Sequence, residues 1–211
     1  YVVSKWGFGS IPPVTLAALR VAVGAAVVVL VVAVAYPSRS FSRRDWRGFA
    51  VLAGWVSVTL VTQFVGTDLT TASEGALVTV LTPVATLALG VAVLGERLSA
   101  RKTAGMALAL AGTGVVLGAR YDLGALGESA GSGVALLVLA SVGWAAYTVY
   151  GKRLVREYSA LETATYSTLL ATPLVGAAAA AELVVADVAR ASVPVTPATV
   201  GAVLYLGVGA T

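Results

Sequence analysis

Long uncharged runs alternate with short polar breaks along this chain, and the spacing of the breaks predicts helices that each cross a membrane once. Residues 14–36 are apolar apart from Arg20. Residues 48–67, 75–95, 103–119, 129–151 and 163–181 carry no charge at all, and a last run follows Arg190 to Thr211. Roughly 20 residues, rising about 1.5 Å each, cross a hydrocarbon core of about 30 Å. Most runs are therefore single spans, with 103–119 near the lower limit. The buried helices of soluble proteins are shorter and are interrupted by polar positions. Tyr1 is not a start residue, and 1–9 reads as the tail of a helix whose beginning is missing. The run from about 197 to 211 stops short of crossing. The expectation is an all-α polytopic transmembrane bundle of seven or eight helices, cut at both ends, with no recognisable signal peptide.

Composition supports the lipid reading. Of the residues 58% are hydrophobic and 11% charged, whereas a soluble domain carries about 25% charged residues. Mean hydropathy is +0.91. The absence of His and Cys excludes imidazole or thiolate metal sites, thiol nucleophiles, His-dependent triads and disulfides. No cofactor is expected.

The net charge of +4 matters less than where the charges sit. Alternate loops are basic: Arg39, Arg43, Arg44 and Arg47 in the first, Arg97, Arg101 and Lys102 in the second, Lys152, Arg153 and Arg156 in the third. Opposite loops hold only Arg120 and Arg190. Nucleic-acid patches would not alternate in this way. The positive-inside rule makes loops 37–47, 95–102 and 152–158 cytoplasmic, in the plasma membrane. Small residues at Gly105 and Ala109, Gly114 and Gly118, and Ala140, Gly143 and Trp144 mark faces where helix backbones can approach closely. Pro83 and Pro173 fall inside spans and should kink them.

Residues 69–117 read LTTASEGALVTVLTPVATLALGVAVLGERLSARKTAGMALALAGTGVVL. This stretch, with its short loop through Ala72-Ser73, its mid-span Pro83, its Gly95-Glu96-Arg97-Leu98 and its basic turn before a Gly-spaced helix, resembles the EamA-like drug/metabolite transporters. Pro13 to Arg20 looks like that family's second helix, and Trp144 to Tyr147 followed by Lys152-Arg153-Leu154 looks like its sixth. The resemblance implies a ten-helix inverted-repeat (5+5) carrier. Residues 1–119 would be the first repeat, 120–131 an extracytoplasmic loop, and 132–211 part of the second, with helices 9 and 10 missing. It also implies a secondary transporter exporting small metabolites or drugs, with a proton or another ion as the coupling partner, as a monomer or a homodimer.

In such carriers the substrate sits near the midplane between the halves. Polar and aromatic residues deep in spans are the candidates: Thr59, Thr62 and Gln63, Thr79 and Thr82 beside Pro83, then Trp144, Tyr147 and Tyr166. Such aromatics also fill gaps between helices, and threonines bond back to their own turns. Arg20, about 9 Å from the end of its span, is either an anchor snorkelling to the headgroups or a substrate or gating contact. Lys5 is open to the same two readings. Glu74 and Glu162 fit capping boxes, as Thr71-x-x-Glu74 and Ser159-x-x-Glu162, better than proton carriers. Glu96, at the cytoplasmic mouth with Arg97 and Arg101 nearby, is also a gating or anchor candidate, and an ion pair that fixes its loop suits it better than a transport role. No carboxylate lies in the central third of a span, which argues against coupling through a buried acid.

Two other functions compete. A rhomboid-type intramembrane protease needs the absent His, and an aspartyl type needs paired intramembrane Asp, whereas Tyr121-Asp122 lies in a loop. An enzyme is therefore not expected. A membrane scaffold or assembly subunit that transports nothing is the remaining alternative.

Overall fold

The structure, a computed structural model, describes residues 2–37, 39–120, 128–185 and 196–209. Among these, all regular structure is helical: α1 Val2–Gly7, α2 Pro13–Ala35, α3 Arg43–Leu69, α4 Ala72–Val78, α5 Leu81–Leu94, α6 Ala100–Arg120, α7 Glu128–Glu157, α8 Ala160–Val185 and α9 Pro197–Val208. Five segments among the described residues are long and apolar enough to cross a membrane: Pro13–Ala35, Arg43–Leu69, Gly75–Leu94, Gly131–Glu157 and Ala160–Val185. Leu30, Val34, Leu108, Val184 and Val185 are among the most exposed side chains. In water such a surface would aggregate, whereas against acyl chains it costs nothing. The chain is a multi-pass membrane protein.

Pro83 breaks its span at a definable point. It has no N–H to give the Thr79 carbonyl four residues back, and its ring crowds that carbonyl. The chain tightens there, with Val80 N–H donating to Leu77 O at 3.1 Å and Thr82 N–H to Thr79 O at 3.0 Å. The result is two helices, α4 and α5, in place of one. Pro173 leaves α8 unbroken.

Glycine sets the closest packing. α3 and α7 run antiparallel along their lengths. A Cβ on Gly143 would lie 2.5 Å from Thr59 Oγ1, and one on Gly133 would lie 2.6 Å from Thr70 Cγ2. Only hydrogen fits at either place. The expected small-residue face of α7 is thus at work through Ala140 and Gly143, both buried, while Trp144 is exposed. The α6 glycines 105, 114 and 118 meet nothing within 4 Å among the described residues, because α6 touches the other described helices at few places, chiefly on α5.

The remaining contacts form a network. α2 lies antiparallel to α8, α2 pairs with α9, α3 pairs with α8, α1 touches α9, and α5 packs on α7. A central core holds Leu16, Val21, Val56, Phe64, Val175 and Leu206. A second cluster, Phe49, Leu52 and Leu154, lies at the end that carries the basic loops.

α2 starts at Pro12-Pro13, with proline at its first position and no local side-chain cap. The first free amides, Val14 N–H and Thr15 N–H, donate to Glu182 Oε1 and Oε2 of α8 at 3.0 and 2.8 Å, and Thr15 Oγ1 adds a bond at 2.9 Å. A carboxylate on a helix N-terminus satisfies orphan donors and opposes the positive dipole end.

Candidate functional site

The predicted pathway residues separate into three places. Around the middle of α3 and α7, Thr59 is buried against Gly143 with its hydroxyl unbonded. Thr62 is half-buried and bonds back to Val58 O at 2.7 Å, and Gln63 is half-buried beside it. Trp144 is 47% exposed and lies nearly flat on Tyr147, with ring centroids 5.3 Å apart at 25°. Tyr147 reaches both hydrophobic clusters. At the α4–α5 break, Thr79 is exposed and bonds to Gly75 O at 2.7 Å, while Thr82 is half-buried and its carbonyl accepts from Thr86. Tyr166 lies elsewhere. Its ring packs on Phe41 at 4.6 Å and Phe49 at 5.4 Å, in an aromatic cluster at the basic end. That follows from α8 starting at Ala160, which puts Tyr166 in its second turn.

Arg20 sits two turns into α2 with its guanidinium over the Phe64 ring of α3 at 5.6 Å. Its head therefore points at a neighbouring helix, a favourable cation–π contact. Lys5 reaches the end of α3, donating to the carbonyls of Thr67 at 3.1 Å and Asp68 at 2.5 Å. A cation there satisfies the last carbonyls of a helix.

The basic end holds the densest electrostatics. Three ion pairs cross between residues before 120 and residues after 131: Arg39 Nε to Glu162 at 2.9 Å, Arg153 Nη2 to Asp45 at 3.3 Å, and Lys152 to Glu96. They bring the three basic loops together. Ser42 and Asp45 close a capping box on α3. Ser159 and Glu162 exchange the bonds expected of theirs on α8, at 2.9 and 3.0 Å. The side chain of Glu74 lies outside the described residues, as do Tyr121 and Asp122. Glu96 is paired, as expected, but with Lys152 and, at 3.9 Å, Lys102 rather than Arg97 or Arg101. The hydrogen bond from Lys152 holds the Glu96 carboxyl below the usual glutamate range, helped by the charges of Lys152, Lys102 and Arg156. Burial, with a hydrogen bond to Asp45, raises the Tyr158 phenol. Between α5 and the end of α7 opens a cavity of about 530 Å³ lined by Leu94, Glu96, Lys152, Arg153, Arg156 and Glu157.

Sequence reasoning missed Glu182, Lys152 as the partner of Glu96, and the Asp45–Arg153 pair. Two signals were present: Pro12-Pro13 with no capping side chain nearby, and Ser42-x-x-Asp45.

The sequence model of the EamA-like transporter family matches residues 1–118 and 131–211. The chain belongs to this family. As an EamA-like protein it is a membrane transporter of the drug/metabolite type. A solved crystal structure shares its fold over 98% of this chain and 68% of the other, with a TM-score of 0.67 at 24% identity. No curated protein matches the chain. The EamA-like match is unbroken through α1–α5 and most of α6, then resumes across α7–α9.

Proposed function

We propose that this chain is the larger part of a ten-helix carrier, with a first repeat at 1–119, a connecting loop at 120–131 and an inverted second repeat from 132. It exports small organic molecules of amino-acid or nucleoside type by alternating access, with the basic end in the cytoplasm. The observation that carries this reading is the pattern of helix pairing. If α7, α8 and α9 repeat α1, α2 and α3, then α2–α8 maps onto itself, α2–α9 onto α8–α3, and α1–α9 onto α7–α3. All of these contacts occur. The directions agree with inversion. Gly207 of α9 meets Val23 of α2 as both run away from the Pro-rich end, and Tyr166 of α8 meets Phe49 of α3 as both run away from the basic end. Inverted repeats place the substrate at the midplane between them. Thr62, Gln63, Thr82, Trp144 and Tyr147 are the candidate contacts there, with Thr59 supporting α3 against α7.

The test is efflux and resistance measured on the full-length gene product across amino acids, nucleosides and toxic analogues. Gln63→Ala and Trp144→Ala should each lower transport at least tenfold while membrane insertion is unchanged. Silence in every substrate class from a correctly inserted protein overturns the carrier reading in favour of a scaffold.

A further inference from the structure

The ion pairs at the basic end have a property that simple glue does not need. Each carboxylate reached across the seam also keeps a partner at home, and so does Arg153. Arg153 donates to Asp45 across the seam and to Glu157 on its own helix at 3.2 Å. Asp45 holds the Ser42 capping box through Oδ2 and Arg153 through Oδ1, and Glu162 holds the Ser159 box through Oε2 and Arg39 through Oε1. Glu96 bonds Lys152 across the seam through Oε1, while Oε2 faces Lys102 of its own half at 3.9 Å. Parting the two halves would therefore strand no carboxylate. An ordinary buried pair, by contrast, leaves an uncompensated charge when it is broken.

Glu96 is the group best placed to change partners, and its backbone shows why. α5 ends at Gly95, in the left-handed conformation at φ 64°. This lets Gly95 N–H bond Val91 O at 3.1 Å and Glu96 N–H fold back to Gly90 O at 3.3 Å. A side chain at position 95 would be strained. The turn holds the Glu96 carboxylate over Gly90, 3.5 Å from where a Cβ there would lie. From that point it reaches α7 on one side and the first turn of α6 on the other. The cavity beside it admits water to the pair, so exchange does not require a charge to cross a dry interior.

Resting on the alternating-access reading, we propose that Glu96 is the gating residue of the cytoplasmic end: it holds the halves closed on Lys152 and, as they part, transfers to Lys102. A two-state switch of this kind is shifted only by groups that bind its two states unequally. The two lysines therefore act in opposite directions.

The test uses the full-length protein in inside-out vesicles. The 211 residues contain no cysteine; with any cysteine outside them replaced by serine, Thr62→Cys serves as a single reporter for a membrane-impermeant thiol reagent. Lys152→Gln should raise the labelling rate about fivefold or more by removing the closed-state partner. Lys102→Gln should lower it by a similar factor by removing the open-state partner, and it lies on an exposed turn where folding is not at risk. The exchange Glu96→Lys with Lys152→Glu should return the rate toward wild type. Equal effects of the two lysines, or none, overturn the proposal, since a static ion pair gives no opposite signs. Labelling needs no substrate. Transport is measured on the protein that keeps Thr62: expected labelling with no transport keeps the switch and loses the carrier reading, and transport with flat labelling does the reverse.

Discussion

Glu182 and Glu96 show how much a single carboxylate does when its partner is distant in sequence. Glu182 replaces a cap that Pro12-Pro13 cannot supply, and it ties α8 to α2. Glu182→Ala leaves two amides and a hydroxyl unsatisfied. It should cost about 1–2 kcal/mol, the usual worth of a lost cap, seen as a drop of several degrees in thermal unfolding of the purified full-length protein. Glu182→Gln should cost less, since one oxygen still accepts. Glu96 responds to pH with a defined sign. Its carboxyl is held below the usual range in the folded state. Its contribution is therefore full above the unfolded value of about 4.3 and is lost as pH falls through the lower folded value. The melting-temperature gap between wild type and Glu96→Gln should stay constant from about pH 8 to 5 and close below about pH 4. A gap that closes between pH 7 and 6 would contradict this assignment.

At the scale of helices, contact depends on which small residues meet. Gly133 and Gly143 let α3 and α7 touch, whereas Gly105, Gly114 and Gly118 on α6 meet open space among the described residues. The same residue type in the same kind of run thus has two meanings. Gly133→Leu should destabilise by about 1–3 kcal/mol through overpacking, while Gly105→Leu should leave the melting temperature within about a degree. The periodicity of small residues made both faces look alike, because a helix does not encode which neighbour its face will find. The Pro83 break was legible because it follows from the proline's own covalent geometry.

Across the whole molecule, the basic loops converge. Arg39, Asp45, Glu96, Lys152, Arg153 and Glu162 come together at one end although they lie up to 123 positions apart. Single cysteines at Arg44, Arg101 and Arg156 should react with impermeant thiol reagents only in inside-out vesicles, and those at Gly9 and Thr196 only in intact cells. Any basic-end position labelled from outside would overturn the orientation.

Helix existence, lipid exposure and the polarity of the loops were determined by the sequence alone, because each depends on the local sum of transfer free energies over about 20 residues. Local capping was legible for the same reason: Ser159 and Glu162 are three residues apart, and their bonds form within one turn. What only the tertiary structure decided is pairing. The neighbours of Tyr166 could not be read from its span, and the start of α8 places its ring in an aromatic cluster with Phe41 and Phe49. The partner of Glu96 proved to be Lys152, 56 positions away, rather than a neighbouring arginine. Charge pairs of this kind follow from how helices pack, and packing in lipid follows from which glycine faces which backbone. No window of the chain contains both sides of that contact.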